Sequence, residues 1–169
     1  TEILDNLTNQ GLVTLVLLLM VSGAVDKTAL LKRLGRSLIT PKFVSSFWRL
    51  FGLTFFSSAL LNNTAIVASL IGPVKQNQYH PPSRLLIPLS YAAILGGTVT
   101  LIGTSTNLIV DSFLIEHGHQ GFKFWDFTFF GLIAGLSCGL LMFLLSPLLP
   151  ALAGHQNNFR EYFIEAEVE

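Results

Sequence analysis

Leu50 to Val74 reads L-F-G-L-T-F-F-S-S-A-L-L-N-N-T-A-I-V-A-S-L-I-G-P-V. The run is apolar and long enough to cross a bilayer, yet Asn62, Asn63 and Thr64 stand at its centre. The arm on each side is about ten residues, which reaches only about halfway into the hydrocarbon. The segment therefore reads as a re-entrant helical hairpin with its polar tip in mid-membrane. The alternative is a surface turn between two spans, since Asn favours turns. Each arm is then too short to span.

Working outward, three more apolar blocks appear. Gly11 to Val25 is the first, with Ile3, Leu4 and Leu7 before it and Asp26 and Lys27 closing it. Leu85 to Ile115 is interrupted by Gly96-Gly97-Thr98-Val99-Thr100 and Gly103-Thr104-Ser105-Thr106-Asn107. Residues of these types are poor helix formers, so a broken span is expected there. Phe127 to Leu149 is apolar throughout and ends at Pro147 and Pro150. The chain is 51% apolar and only 12% charged. A soluble core of this length cannot hide so much apolar surface, and soluble domains carry about a quarter charged residues. The expected fold is all-α and polytopic in the membrane.

Charge sets the topology. Lys27, Lys32, Arg33, Arg36, Lys42 and Arg49 precede the hairpin, with Leu30, Leu31, Leu34 and Leu38 at helical spacing among them. That stretch reads either as a helix lying in the interface or as a plain cytoplasmic loop. If the second block is a hairpin, these residues share one side with Lys75, Arg84 and Arg160, and only Lys123 faces the other. The positive-inside rule then puts the C-terminus in the cytoplasm, and the expected location is the plasma (inner) membrane. Phe122, Phe124, Trp125 and Phe127 form an aromatic belt at the outer interface.

Polar backbone at membrane depth is tolerated only where protein buries it or where it lines a wet cavity. The two polar centres are therefore functional candidates. No Asp or Glu lies between Lys27 and Val110. A cation site there must use hydroxyl, amide and carbonyl oxygens, which suits sodium better than magnesium or calcium. An anion site must use backbone N–H groups, Ser/Thr/Asn donors and helix N-termini. Broken helices supply both kinds of end.

The run Ser58-Ala59-Leu60-Leu61-Asn62-Asn63-Thr64-Ala65 resembles the hairpin tip of the divalent-anion/sodium symporters. The run Gly96 to Asn107 resembles the unwound mid-membrane loop of that family. The resemblance implies one transporter repeat, with Ser58, Asn62, Asn63, Gly96, Gly97, Thr100 and Thr104 around a sodium ion. It also implies Asn63, Thr64, Thr104 and Asn107 toward a small divalent anion. Asn62 stands where the family tip usually has Ser. A second, inverted repeat elsewhere in the polypeptide and a homodimer are implied in the same way.

The expected domains are residues 1–150, a partial membrane transport domain, and 151–169, a linker into a cytoplasmic regulatory domain. The alternation near Phe159 to Glu169 reads as that domain's first strand. The chain begins at Thr1 without a signal-peptide pattern and reads as a piece of a longer polypeptide. Balanced charge argues against nucleic acid as a partner. Cys138, alone in an apolar run, is expected to be a buried, inert thiol. Gly131, Gly135 and Gly139 read as a helix-packing stripe. Asp26 and Asp111 are expected to close their spans. His117-Gly118-His119 reads as a solvated loop rather than a metal motif, and His80 and His155 also fall in loops. No metal beyond sodium, no organic cofactor and no enzymatic chemistry are expected.

The functional expectation is sodium-coupled uptake of sulfate or a dicarboxylate. A proton- or arsenite-type exchanger of the same superfamily and a transporter-like sulfate sensor are the alternatives.

Overall fold

The computed structural model describes residues 37–150 and a few positions before them (13, 16, 17, 20, 21, 24 and 35). Among the described residues every regular element is a helix. α1 spans Phe43–Ser58, α2 Asn63–Lys75, α3 Pro82–Gly97, α4 Ser105–Glu116 and α5 Thr128–Leu145, followed by a 3-10 turn at Ser146–Leu148. Val13, Val16, Leu17, Met20 and Val21 of the first apolar block are helical and exposed. The rest of that block, most of the basic stretch and the linker and strand expected after Pro150 lie outside the described residues.

α1 and α2 form a helical hairpin turned at residues 59–62. Its arms are 16 and 13 residues, or about 24 and 20 Å at 1.5 Å per residue. They are longer than the ten-residue arms expected, because α1 begins at Phe43, inside the basic stretch. Arg49 therefore sits on the hairpin arm and not before it. Even so, neither arm matches a hydrocarbon core of about 30 Å.

The base of the hairpin is closed by polar contacts. His80 Nε2 lies 2.8 Å from the Thr40 carbonyl oxygen and 3.4 Å from Ser46 Oγ. A carbonyl can only accept, so Nε2 carries the proton. Ser46, fully buried, accepts from Thr40 N–H and donates back to the Thr40 carbonyl, each at 2.8 Å. The start of α1 and the loop after α2 are thus at one end of the molecule. The end of α5 joins them there: Ser83 Oγ donates to the Pro150 carbonyl at 2.7 Å and Arg84 Nε to the Leu149 carbonyl at 3.5 Å.

α3 packs against α1, α2 and α5. Leu50 of α1, Ile66, Leu70 and Val74 of α2, and Leu85 and Leu89 of α3 make one buried cluster. Phe47, Phe51 and Phe55 of α1 with Ala92 and Val99 make a second, against α5. The glycine stripe of α5 faces that second cluster. A Cβ on Gly131 would stand 2.8 Å from Val99 Cα, one on Gly135 would enter the Phe55 ring, and one on Gly139 would stand 2.8 Å from the Phe51 ring. The packing reading of the stripe is borne out. The opposite face of α5, including Phe130, Leu136 and Leu144, is exposed. Thr128–Leu148 is the one helical stretch among the described residues long and apolar enough to cross a membrane.

Two smaller expectations change. Asp111 does not close a span; it is the seventh residue of α4, and its carboxylate turns to the loop that follows that helix. Cys138 is half-buried on α5, not buried. His117 is exposed, with its ring against Phe113 and Nδ1 2.9 Å from the Phe113 carbonyl oxygen. Among the described residues no cluster of three or more His, Cys, Asp or Glu could hold a metal.

Candidate ion and substrate site

The hairpin tip and the break between α3 and α4 meet. Ser58, the last residue of α1, is fully buried; its Oγ lies 2.6 Å from the Ala93 carbonyl oxygen of α3 and in hydrogen-bond contact with Asn63 Oδ1. Asn62 is the N-cap of α2 and accepts from Thr64 N–H at 2.9 Å. Asn63, the first residue of α2, points across to α3: a Cβ on Gly97 would stand 2.6 Å from Asn63 Nδ2 and 2.7 Å from Oδ1. The Thr104 methyl would stand 3.0 Å from that same Cβ. Asn63 and Thr104 therefore converge beside Gly97, and with them two helix N-termini.

Residues 98–104 are unwound, as the density of Gly and Thr implied. The loop is held by side chains in place of a helical ladder. Thr100, fully buried, donates from Oγ1 to the Ala59 carbonyl at the end of α1. Asn107 Nδ2 donates to the Thr100 carbonyl at 3.1 Å, and Asn107 N–H to Thr104 Oγ1 at 3.4 Å, the N-cap bond of α4. Gly103 lies so close to the Gly97 carbonyl that no side chain fits between them. Gly96 faces the other way, with the Phe55 carbonyl of α1 where its Cβ would be. Thr64 is exposed.

Of the residues singled out from sequence, Ser58, Asn63, Gly97 and Thr104 gather at one point. Thr100 and Asn107 shape the loop behind it, Asn62 caps α2, and Gly96 lets α1 and α3 approach. The oxygen set of Ser58 Oγ, Asn63 Oδ1 and the Ala93 carbonyl is neutral. Such a set fits a weakly hydrated monovalent cation and not a hard divalent one. Beside it, the first turns of α2 and α4 hold N–H groups outside their helical ladders, the usual setting for an anion.

The citrate transporter family model matches residues 1–161. The chain belongs to the citrate transporter family. It is 37% identical over 175 residues to an uncharacterized transporter of Synechocystis sp., covering all of this chain and 28% of that protein. It is 34% identical over 178 residues to a candidate sulfur deprivation response regulator of Chlamydomonas reinhardtii, covering 96% of this chain and 30% of that protein. Over 109 residues it is 41% identical to sodium/sulfate cotransporter 1 of the same organism, covering 60% of this chain and 12% of that protein. The chain thus spans less than a third of the length of these relatives. No solved structure matches it. The family, the Synechocystis relative and the cotransporter are membrane transporters and not enzymes.

Sequence reasoning missed part of what this citrate-transporter-family chain brings to the site. The Ala93 and Ala59 carbonyls take the hydroxyls of Ser58 and Thr100, and an alanine carries no sequence signal for that. Thr54, one turn before Ser58 and fully buried, has a hydroxyl with no hydrogen-bond partner among the described residues.

Proposed function

We propose that the chain is one repeat of a secondary carrier that couples sodium entry to uptake of a small divalent anion, sulfate or a dicarboxylate. The observation that carries this reading is the meeting of Asn63 and Thr104 at Gly97, beside the Ser58–Ala93 contact. Ser58 has one proton and two neighbouring oxygens, Ala93 O and Asn63 Oδ1. Two arrangements balance that count. Asn63 turns its amide so that Nδ2 donates to Ser58 while Ser58 donates to Ala93, or a sodium ion parts the three oxygens and the Ser58 proton turns away from it. These are the ion-free and ion-bound forms of one site. The anion sits on the adjoining N-termini of α2 and α4, where Thr64, Thr104 and Asn107 are at hand and a neighbouring cation favours it.

The arms of α1 and α2 enter and leave on one side, which makes the hairpin re-entrant. Lys42, Lys75 and Arg84 lie at its base, so that side is cytoplasmic by the positive-inside rule, and the C-terminus with it. An inverted second repeat completes the cavity, residues 151–169 lead to a cytoplasmic regulatory domain, and the carrier is a homodimer in the plasma (inner) membrane. The name of the sodium/sulfate cotransporter supports sodium and sulfate. The name of the sulfur deprivation response regulator favours a second reading, a transporter-like sulfate sensor.

The test is uptake of labelled sulfate, succinate and citrate by the complete carrier in liposomes, under an imposed sodium or proton gradient. Saturable, sodium-driven uptake is expected. Proton-driven uptake moves the reading to an exchanger, and saturable binding without flux to the sensor. Sodium-dependent transport by residues 1–169 alone overturns the two-repeat arrangement.

A further inference from the structure

The loop between α4 and α5 reaches back to the break in front of α4. Asp111 Oδ1 accepts from Phe122 N–H at 2.6 Å. Gly121 makes that approach possible: a Cβ there would stand 2.8 Å from Oδ1 and 2.8 Å from the Ile115 side chain. Two residues beyond Phe122, the Phe124 carbonyl accepts from Leu101 N–H at 3.2 Å, in the unwound segment. Asp126 Oδ2 holds Lys123 N–H at 2.8 Å, fixing the turn that follows, and Thr128 Oγ1 donates to the Val99 carbonyl at 2.9 Å. The backbone of residues 99–101 is therefore held from behind by this loop and the first residue of α5, while Thr100 faces the hairpin.

We infer that Asp111 is a positioning residue for the proposed site: through Phe122 and Phe124 it sets where the unwound segment presents Thr100 and Thr104. The physical reason is that an unwound segment has few bonds of its own. Its N–H and C=O groups must find partners elsewhere, and those partners decide its place. The Asp111 side-chain oxygen supplies such a partner for Phe122 N–H, and half-burial shields the bond from competing water. Asp111 touches neither proposed ligand position. Its action is on geometry, and an acceptor oxygen at that point is what matters, not the negative charge.

The test compares Asp111→Ala and Asp111→Asn in the complete carrier, with two readouts. The first is the sodium and anion dependence of uptake, which rests on the proposed carrier function. The second is the rate of thiol labelling at Ile102→Cys with Cys138→Ser, which does not. Asp111→Ala is expected to raise both half-saturating concentrations roughly three- to tenfold, the range for loss of one hydrogen bond of ordinary strength, and to speed labelling. Asp111→Asn keeps an acceptor oxygen and should restore both readouts to within about twofold. If Asn behaves like Ala, the charge and not the position is at work, and the inference fails. It also fails if Ala only lowers the amount of folded protein, or if labelling is unchanged. Absent transport with labelling still shifted by Ala and restored by Asn overturns the carrier reading and leaves the positioning role of Asp111 standing.

Discussion

The Asn63 carboxamide occupies the space beside Gly97 that a side chain would need, with Nδ2 2.6 Å and Oδ1 2.7 Å from the position of a Cβ. Gly97→Ala therefore displaces the Asn63 carboxamide or the Thr104 methyl, and either shift changes the proposed site. The expected result is a loss of about tenfold or more in sodium and anion affinity with expression retained. Gly72→Ala is the control. It lies in α2 with nothing within 4 Å of its Cβ, so transport should be unchanged and thermal stability equal or slightly raised.

Asn63→Asp separates the ion from the substrate. A carboxylate beside the Ser58 and Ala93 oxygens strengthens binding of a cation, yet it faces a divalent anion with a like charge. Coulomb terms of about 1–4 kcal/mol at 4 Å make either effect roughly fivefold or larger. Half-saturation for sodium should fall, while that for the anion rises. A rise in both, as expected for Asn63→Ala, would show that the carboxamide acts as a unit.

Labelling decides the hairpin. Lys42→Cys and Gln76→Cys, each with Cys138→Ser, flank α1 and α2 at the end closed by His80 and Thr40. Both should react with an impermeant thiol reagent from the cytoplasmic side only. Reaction from opposite sides means that residues 43–75 cross the membrane outright.

Gly135→Ala pushes a methyl into the Phe55 ring and should lower the melting temperature of the carrier in detergent. Phe55→Leu should recover part of that loss, because the ring is the obstacle. A coupling of about 1 kcal/mol or more between the two substitutions is expected for residues in direct contact.

Much of the architecture was legible because the membrane makes polar residues conspicuous. Asn62, Asn63 and the Gly96–Asn107 run stood out against apolar surroundings, and each marks a real helix end or break. Helix limits were harder to read. α1 starts at Phe43 although Lys42 and Arg49 suggested surface, since Arg49 sits on the exposed side of a helix whose other face is buried. Asp111 looked like a terminus because a carboxylate near the end of an apolar block usually is one. Its partner is a backbone N–H eleven residues away, which no pattern of side chains records. The same holds for Ala59 and Ala93, which act through their carbonyls.

Three ties join the hairpin to the broken helix: Ser58 to Ala93, Thr100 to Ala59, and Gly96 pressed on the Phe55 carbonyl. Two are hydrogen bonds made by buried hydroxyls, out of reach of water. On the proposed reading, the Thr100–Ala59 bond and the Gly96 contact keep the hairpin and the broken helix together as one cradle whether or not the ion is bound. Release must come from moving the whole cradle, or from withdrawing whatever covers it, so turnover should be governed by surfaces far from Asn63.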